Sequence, residues 1–306
     1  MPTPVRHAQL RGPEHVIYGG IAVIAEGGLG IALSRGGAPK PYAHREPNED
    51  CVGFLWSEWG AVLALADGHQ GSGAASLAVE RALAHAPRWL ERAPIALLER
   101  FRADAEMLVR NVHQEIVKEH ASSGSRTTLA VALARPREGW LGLASVGDSL
   151  LFTSGAAGTH RARGDEQSQA AFLGTARMEP ADLSAATFVD VRSLRGERAV
   201  VLASDGFSQP GIGVTDPEAA ISEAARDAER AEPARASLEL ARGVVQRAVD
   251  VQRASRSGDN VSAAVFWLGP GGLVDHLASP SVHLPEDPED GGHQRGDRTL
   301  PLVRPR

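Results

Sequence analysis

The chain has 306 residues, a formal net charge of −6 and a pI near 6.0. That balance argues against a nucleic-acid binder working through a broad basic face. Its length and ordinary hydrophobic content suffice for a large buried core. The single cysteine, Cys51, allows no intrachain disulfide and suggests a reducing compartment, with a buried structural thiol rather than a nucleophile. The first residues lack the apolar run of a secretory signal. The apolar stretch 16–33 is broken by glycines and Glu26, so no membrane span is expected and a cytoplasmic location is the default.

Residues 1–15 are polar and contain proline, and are expected to form a flexible arm. A strand is expected over 16–24, and a second short strand within GGLGIALSRGGAPKP (27–41) runs into a Gly/Pro-rich loop that ends in HREPNED. Two more follow at 50–56 and 61–66. The run AVLALA is continuously apolar, as in a strand buried on both faces.

Two helices are expected next. Over 73–90, Ala75, Val79, Ala82, Ala86 and Leu90 share one face. Over 94–120, the stripe is Phe101, Ala105, Leu108, Val112 and Ile116. Pro94 suits a first helical turn. Strands are expected again at 129–134, 140–146, 150–153, 187–191 and 199–203. Residues 154–185 show only weak periodicity. Thr215-Asp216-Pro217-Glu218 reads as a capped helix start, followed by helices to about 230 and over 234–251. The last strand is expected at 261–268. After it, 269–306 is rich in Pro, Gly and mixed charge, and reads as a disordered tail. Strands and helices come in blocks, which indicates an α+β fold in one domain over 16–268.

Acidic residues mark the ends of the apolar strands. Asp67 follows AVLALA, Asp205 follows AVVLA, Asp148 follows LGLASV, and Asp259 precedes VSAAVFWL. One Asp-Gly at a strand end is more often a turn than a ligand. Two after similar strands, two Gly-Asp pairs and Asn48-Glu49-Asp50 together are harder to assign to turns. Clustered carboxylates repel unless a cation neutralises them. Oxygen ligands, without CxxC or HExxH spacing, favour Mg²⁺ or Mn²⁺ over zinc.

The ordered set Arg45…Asn48-Glu49-Asp50, Asp67-Gly68-His69, Ser125-Arg126-Thr127-Thr128, Gly147-Asp148-Ser149, Ser204-Asp205-Gly206 and Gly258-Asp259-Asn260 resembles the PP2C (PPM) family of metal-dependent Ser/Thr protein phosphatases. The resemblance covers roughly residues 16–268. It implies a four-layer α/β/β/α sandwich, two antiparallel sheets flanked by helices. It also implies hydrolysis of phosphomonoesters by a water bridging two Mn²⁺ or Mg²⁺ ions. Asp67 would bridge the ions, Asp205 and Asp259 would complete one site, and Glu49 with the Gly68 carbonyl would serve the other. Asp50 would act through water or from behind, and Asp148 would hold a weaker third ion. Arg45 would clamp the phosphate and His69 would protonate the leaving oxygen. The implied partner is a protein phosphorylated on Ser or Thr, within a Ser/Thr kinase pathway, and neither nucleic acid nor membrane.

Some positions depart from the family pattern. Gln70 replaces a frequent glycine, Leu150 replaces the arginine of GDSR, and the interval from Asp148 to Asp205 is short. The alternative is a non-catalytic phosphoprotein-binding or partner-switching regulatory module. GDSL is also a serine-esterase motif, and Asp290 with His293 matches its Asp-x-x-His spacing, but a rigid triad is not expected from a Pro/Gly-rich tail.

Overall fold

The computed structural model describes residues 6–120, 122–163 and 171–270. Two antiparallel six-stranded sheets stack face to face. The first has the order β1-β4-β5-β8-β9-β12, built from Arg6–Arg11, Cys51–Ser57, Gly60–Ala66, Leu129–Arg135, Trp140–Val146 and Phe188–Ser193. The second has the order β11-β10-β13-β14-β3-β2, built from Gly158–Arg161, Leu150–Gly155, Glu197–Ala203, Val261–Trp267, Leu29–Ser34 and Ile21–Glu26. A two-stranded ribbon pairs β6 (Gly68–His69) with β7 (Arg126–Thr127).

Three apolar layers hold the stack together. Between the sheets lie Ile31, Phe54, Leu63, Leu143, Leu151 and Leu202. Outside the first sheet pack α1 (Gly73–Leu90) and α2 (Pro94–His120), with Trp89, Phe101 and Trp140 forming an aromatic cluster. Outside the second pack α4 (Pro217–Arg230) and α5 (Ala236–Ser255), through Ile221, Leu240, Val244 and Val245. Strands buried on both faces explain the continuous apolar runs at β5 and β13. The result is the expected four-layer α/β/β/α sandwich.

Both long helices on the first sheet have the expected bounds, because their apolar stripes are uninterrupted. The Asp216 side chain accepts from the Ala219 amide at 2.9 Å, capping α4 as its sequence indicated. Four features differ from expectation. Residues 6–11 are not a loose arm but an edge strand, in register with β4 from Arg6↔Trp56 to Arg11↔Cys51. The strand expected from 16 starts at Ile21, since Ile17 is exposed and Gly19 turns the chain at φ +72°. A short helix α3 (Pro180–Ala186) and the strand β11 lie in the weakly patterned interval. Apart from its first two residues, the expected tail falls outside the described residues, as do Asp290 and His293. Among the described residues no helix is long and apolar enough to cross a membrane. Cys51 is buried, accepts from Gln9 Nε2 at 3.0 Å, and has its thiol pushed up to about 12 by burial.

Gln70 has φ +65°, a left-handed conformation that costs a side chain about 1 kcal/mol or more. Gln70→Gly is expected to raise the thermal midpoint modestly, by roughly 0.5–1 kcal/mol of stability in calorimetry, because part of the relief is offset by glycine's unfolded-state entropy.

Candidate metal centre

The strand registers bring the acidic residues to one edge of the stack. Cys51 pairs with Ala66, so Asp50 and Asp67 leave neighbouring strand ends together. Leu150 pairs with Ala203, and Ala203 with Ala263, which gathers Asp148, Asp205 and Asp259. Asp67, Asp148 and Asp205 each offer an oxygen within 4.8 Å of the other two.

The backbone around Asp67 is locked. Its amide donates to Thr128 Oγ1 at 2.9 Å, and its carbonyl accepts from Thr127 Oγ1 at 2.8 Å and Thr128 N at 3.0 Å. Thr128 and Ser149 share a 2.7 Å hydrogen bond that holds the Asp148 turn. Ser149 is thus buried and engaged, which fits a structural hydroxyl rather than an esterase nucleophile. Gly68 packs on the Glu49 backbone so closely that a Cβ there would meet it.

These carboxylates are strained electrostatically. Burial pushes Asp67 well above the ordinary carboxylate range, with Asp205 and Asp50 adding to it. Asp205 is pushed up to about 7, by burial first and then by Asp259. Asp50 is pushed up to about 6 by burial, with Lys40 and the Ser262 hydroxyl opposing. Asp50 Oδ1, Asp148 Oδ1 and Asp205 Oδ1 are buried without a hydrogen-bond partner. Close carboxylates with orphan oxygens fit a hard divalent cation, which would supply the missing ligand interactions.

Other predicted residues are held differently. Glu49 Oε1 accepts from the amides of Gly71 at 2.6 Å, Arg45 at 3.2 Å and Glu46 at 3.3 Å. Asp50 Oδ2 accepts from Ser262 Oγ at 2.7 Å. Asp259 Oδ1 accepts from the Asn260 amide at 2.7 Å and lies 3.2 Å from Lys40 Nζ, while its Oδ2 accepts from the Tyr42 hydroxyl. Arg45 is exposed, and among the described residues its guanidinium has no hydrogen-bond or ion-pair partner. His69 packs edge-on against Phe172 at 4.4 Å, and its Nε2 is buried without a partner. Burial lowers its pKa, Asp148 opposes, and Arg126 and Lys40 add to the lowering.

Sequence reasoning missed four contributors, among them Tyr42, whose hydroxyl donates to Asp259. Lys40 reaches into the acidic cluster from a Gly/Pro-rich loop. Asn260 ties the cluster together: its Oδ1 accepts from Glu49 N at 2.9 Å, and its Nδ2 donates to Pro47 O at 2.9 Å and Arg35 O at 3.1 Å. Arg126 stands directly across the β6–β7 ribbon from His69, its guanidinium 5.0 Å over the Phe172 ring. Asn260 and Arg126 each stood within a quoted motif, Gly258-Asp259-Asn260 and Ser125-Arg126-Thr127-Thr128, but without a role of their own; Lys40 and Tyr42 carried no signal.

The family model for protein phosphatase 2C matches residues 40–243. The chain belongs to the protein phosphatase 2C family. That match ends before Asp259, which β14 returns to the site. No curated protein matches the sequence. Solved structures with a similar fold include a bacterial serine phosphatase, at 17% identity over 78% of this chain and 96% of that one, TM-score 0.55. They also include serine-threonine phosphatase 2C from Toxoplasma gondii, at 17% identity over 87% and 99%, TM-score 0.54. A third is the serine/threonine phosphatase PstP/Ppp of Mycobacterium tuberculosis, at 22% identity over 80% and 97%, TM-score 0.51. At these identities the likeness to the 2C phosphatases shows the shared fold.

Proposed function

We propose that this protein 2C family member is a Mg²⁺- or Mn²⁺-dependent phosphatase acting on phosphoserine and phosphothreonine in proteins. The observation that carries this reading is the convergence of Asp67, Asp148 and Asp205 within 4.8 Å, with unpartnered oxygens on Asp148 and Asp205. Those three residues would hold a divalent ion. When bound, such an ion supplies an acidified water and neutralises phosphate oxygens.

The chain's own groups account for the remaining needs. His69 Nε2 is free to carry a proton, and its lowered pKa makes the protonated ring a stronger acid than free imidazole. That suits protonation of a departing serine or threonine oxygen. Arg126 lies across the ribbon from His69, exposed and with its guanidinium 5.0 Å from the Phe172 ring centre, and would serve phosphate oxygens. Arg45, exposed on the loop before Glu49, would meet the phosphate or the peptide around it only after substrate arrives.

Hydrolysis of p-nitrophenyl phosphate with Mn²⁺, run beside Asp205→Asn, tests this function. Turnover that EDTA abolishes and Asp205→Asn lacks supports it; EDTA-insensitive turnover overturns it. Arg126→Ala is expected to raise KM for phosphopeptide about 10-fold or more, the loss of one charge-assisted contact of about 1.5–3 kcal/mol. Steady-state kinetics beside Arg45→Ala would show which arginine dominates.

A second reading is a non-catalytic module that binds phosphoproteins or switches partners. Arg45 without an anchor and Leu150 in place of an arginine favour it. Tight phosphopeptide binding without turnover would select it.

A further inference from the structure

We infer that Lys40 is a built-in cation occupying part of the acidic cluster, so that this chain takes up one divalent ion, at Asp67, Asp148 and Asp205, rather than two. The inference rests on the metal-site reading above and refines it.

Apart from Asp50, whose Oδ1 is also buried without a partner, the acidic oxygens divide into two groups. In the first, Asp67, Asp148 and Asp205 face one another, and two of their oxygens lack a partner. In the second, the oxygens are largely committed. Asp259 Oδ1 has Lys40 Nζ at 3.2 Å and the Asn260 amide at 2.7 Å, and Asp259 Oδ2 takes the Tyr42 hydroxyl. Glu49 Oε1 accepts three backbone amides, and Glu49 Oε2 lies 3.9 Å from the same Lys40 Nζ. The ammonium therefore sits between Glu49 and Asp259, where the family resemblance would have each carboxylate serve an ion.

Lys40 is not a surface side chain that has swung inward. Its side chain is only 5% exposed. Burying an ammonium is unfavourable unless it is paired and hydrogen-bonded, and here two carboxylates meet it. Its loop is fastened on both sides of the preceding turn: Gly37 N donates to Gln252 Oε1 at 2.8 Å, and Gly258 N donates to Pro39 O at 3.0 Å. Pro39 and Pro41 restrict the backbone on either side. The Tyr42 ring lies 5.5 Å from Nζ and adds a cation–π contact. A fixed positive charge beside Glu49 and Asp259 repels a divalent ion, and it already pairs closely with Asp259, one of the carboxylates that ion would need.

Mn²⁺ stoichiometry by calorimetry and Mn²⁺ electron paramagnetic resonance test this on the full chain. The unmodified protein is expected to bind one Mn²⁺ with a mononuclear spectrum. Lys40→Met is expected to bind two, with the spectrum of an exchange-coupled pair and at least 100-fold tighter uptake of the second ion. Asp205→Asn is expected to lose the first ion. Two ions with a coupled spectrum in the unmodified chain overturn the inference alone, and that measurement needs no variant to fold. One ion in Lys40→Met also overturns it. No ion in either chain overturns it together with the metal-site reading.

Discussion

Asp67→Asn is expected to reduce Mn²⁺-dependent phosphatase turnover by more than about 100-fold while making the metal-free protein more stable. The loss of turnover should exceed the 10–100-fold typical of residues that merely support a ligand, because Asp67 is part of the proposed ion cage itself. The gain in stability has the same origin. Asp67 is buried against Asp205 and Asp50, and its pKa is raised by that burial first and by their repulsion second. An amide of the same shape removes one of those charges.

The pH dependence follows from Asp205, which sits at about 7 in the fold against an ordinary 3.8. Between those values the folded chain binds more protons than the unfolded one. Its stabilising contribution is complete below the ordinary value and drains away as pH rises through about 7. The thermal midpoint of the metal-free protein should therefore fall from pH 4 to pH 7 relative to Asp205→Asn. Calorimetry in EDTA over that range checks this, and added Mn²⁺ should flatten the wild-type profile. A pH-independent difference between the two proteins would contradict the upward shift that burial and Asp259 impose on Asp205.

Gly258→Ala is expected to cost about 1–3 kcal/mol of stability, or more, through overpacking. A Cβ at 258 would lie 2.6 Å from the carbonyl carbon of Ala38 and 2.9 Å from its nitrogen, with the oxygen closer still. These are backbone atoms of the loop that carries Lys40, so relief requires that loop to move. At about 2–4 °C per kcal/mol for a domain of this size, the shift in thermal midpoint is readily measured. Gly243→Ala on α5 provides the contrast. Its new methyl would meet the Arg247 guanidinium at 3.1 Å and Ala224 Cβ at 3.5 Å, so only the end of a side chain has to give, and calorimetry should show a neutral or stabilising change.

Legibility in the sequence followed burial. Helices α1 and α2 could be bounded because each buries a continuous apolar stripe, and β5, β9 and β13 because each is apolar on both faces. Strand β1 was not legible: of RHAQLR only Leu10 is buried, so its polar pattern resembles an arm. The β6–β7 ribbon has two residues per strand, too few for any period. Helix α3 buries just Leu183 and Ala186.

The site divided along the same line. Asp67, Asp148, Asp205 and Asp259 were visible because a charge at the end of an apolar strand is conspicuous. Lys40 and Tyr42 were not, since a polar residue in a Gly/Pro-rich loop reads as surface. Only the fold brings that loop against Asp259, 219 positions away in numbering from Lys40. Arg126 was quoted as part of a motif, but its place opposite His69 depended on the ribbon.

The position of β14 governs when this site can exist. It is the final strand, yet it lies between β3 and β13, pairing Val261 with Ser34 and Ala263 with Ala203. A growing chain therefore holds β3 and β13 apart until residue 267 has been made, and the slow closure of so long a loop comes last. Asp259 arrives on that same strand, and Asn260 with it. A nascent or prematurely terminated chain can form the first sheet and its helices but cannot complete the acidic cluster. Completion of the second sheet and assembly of the acidic cluster are thus one event, which ties the candidate site to the finished fold.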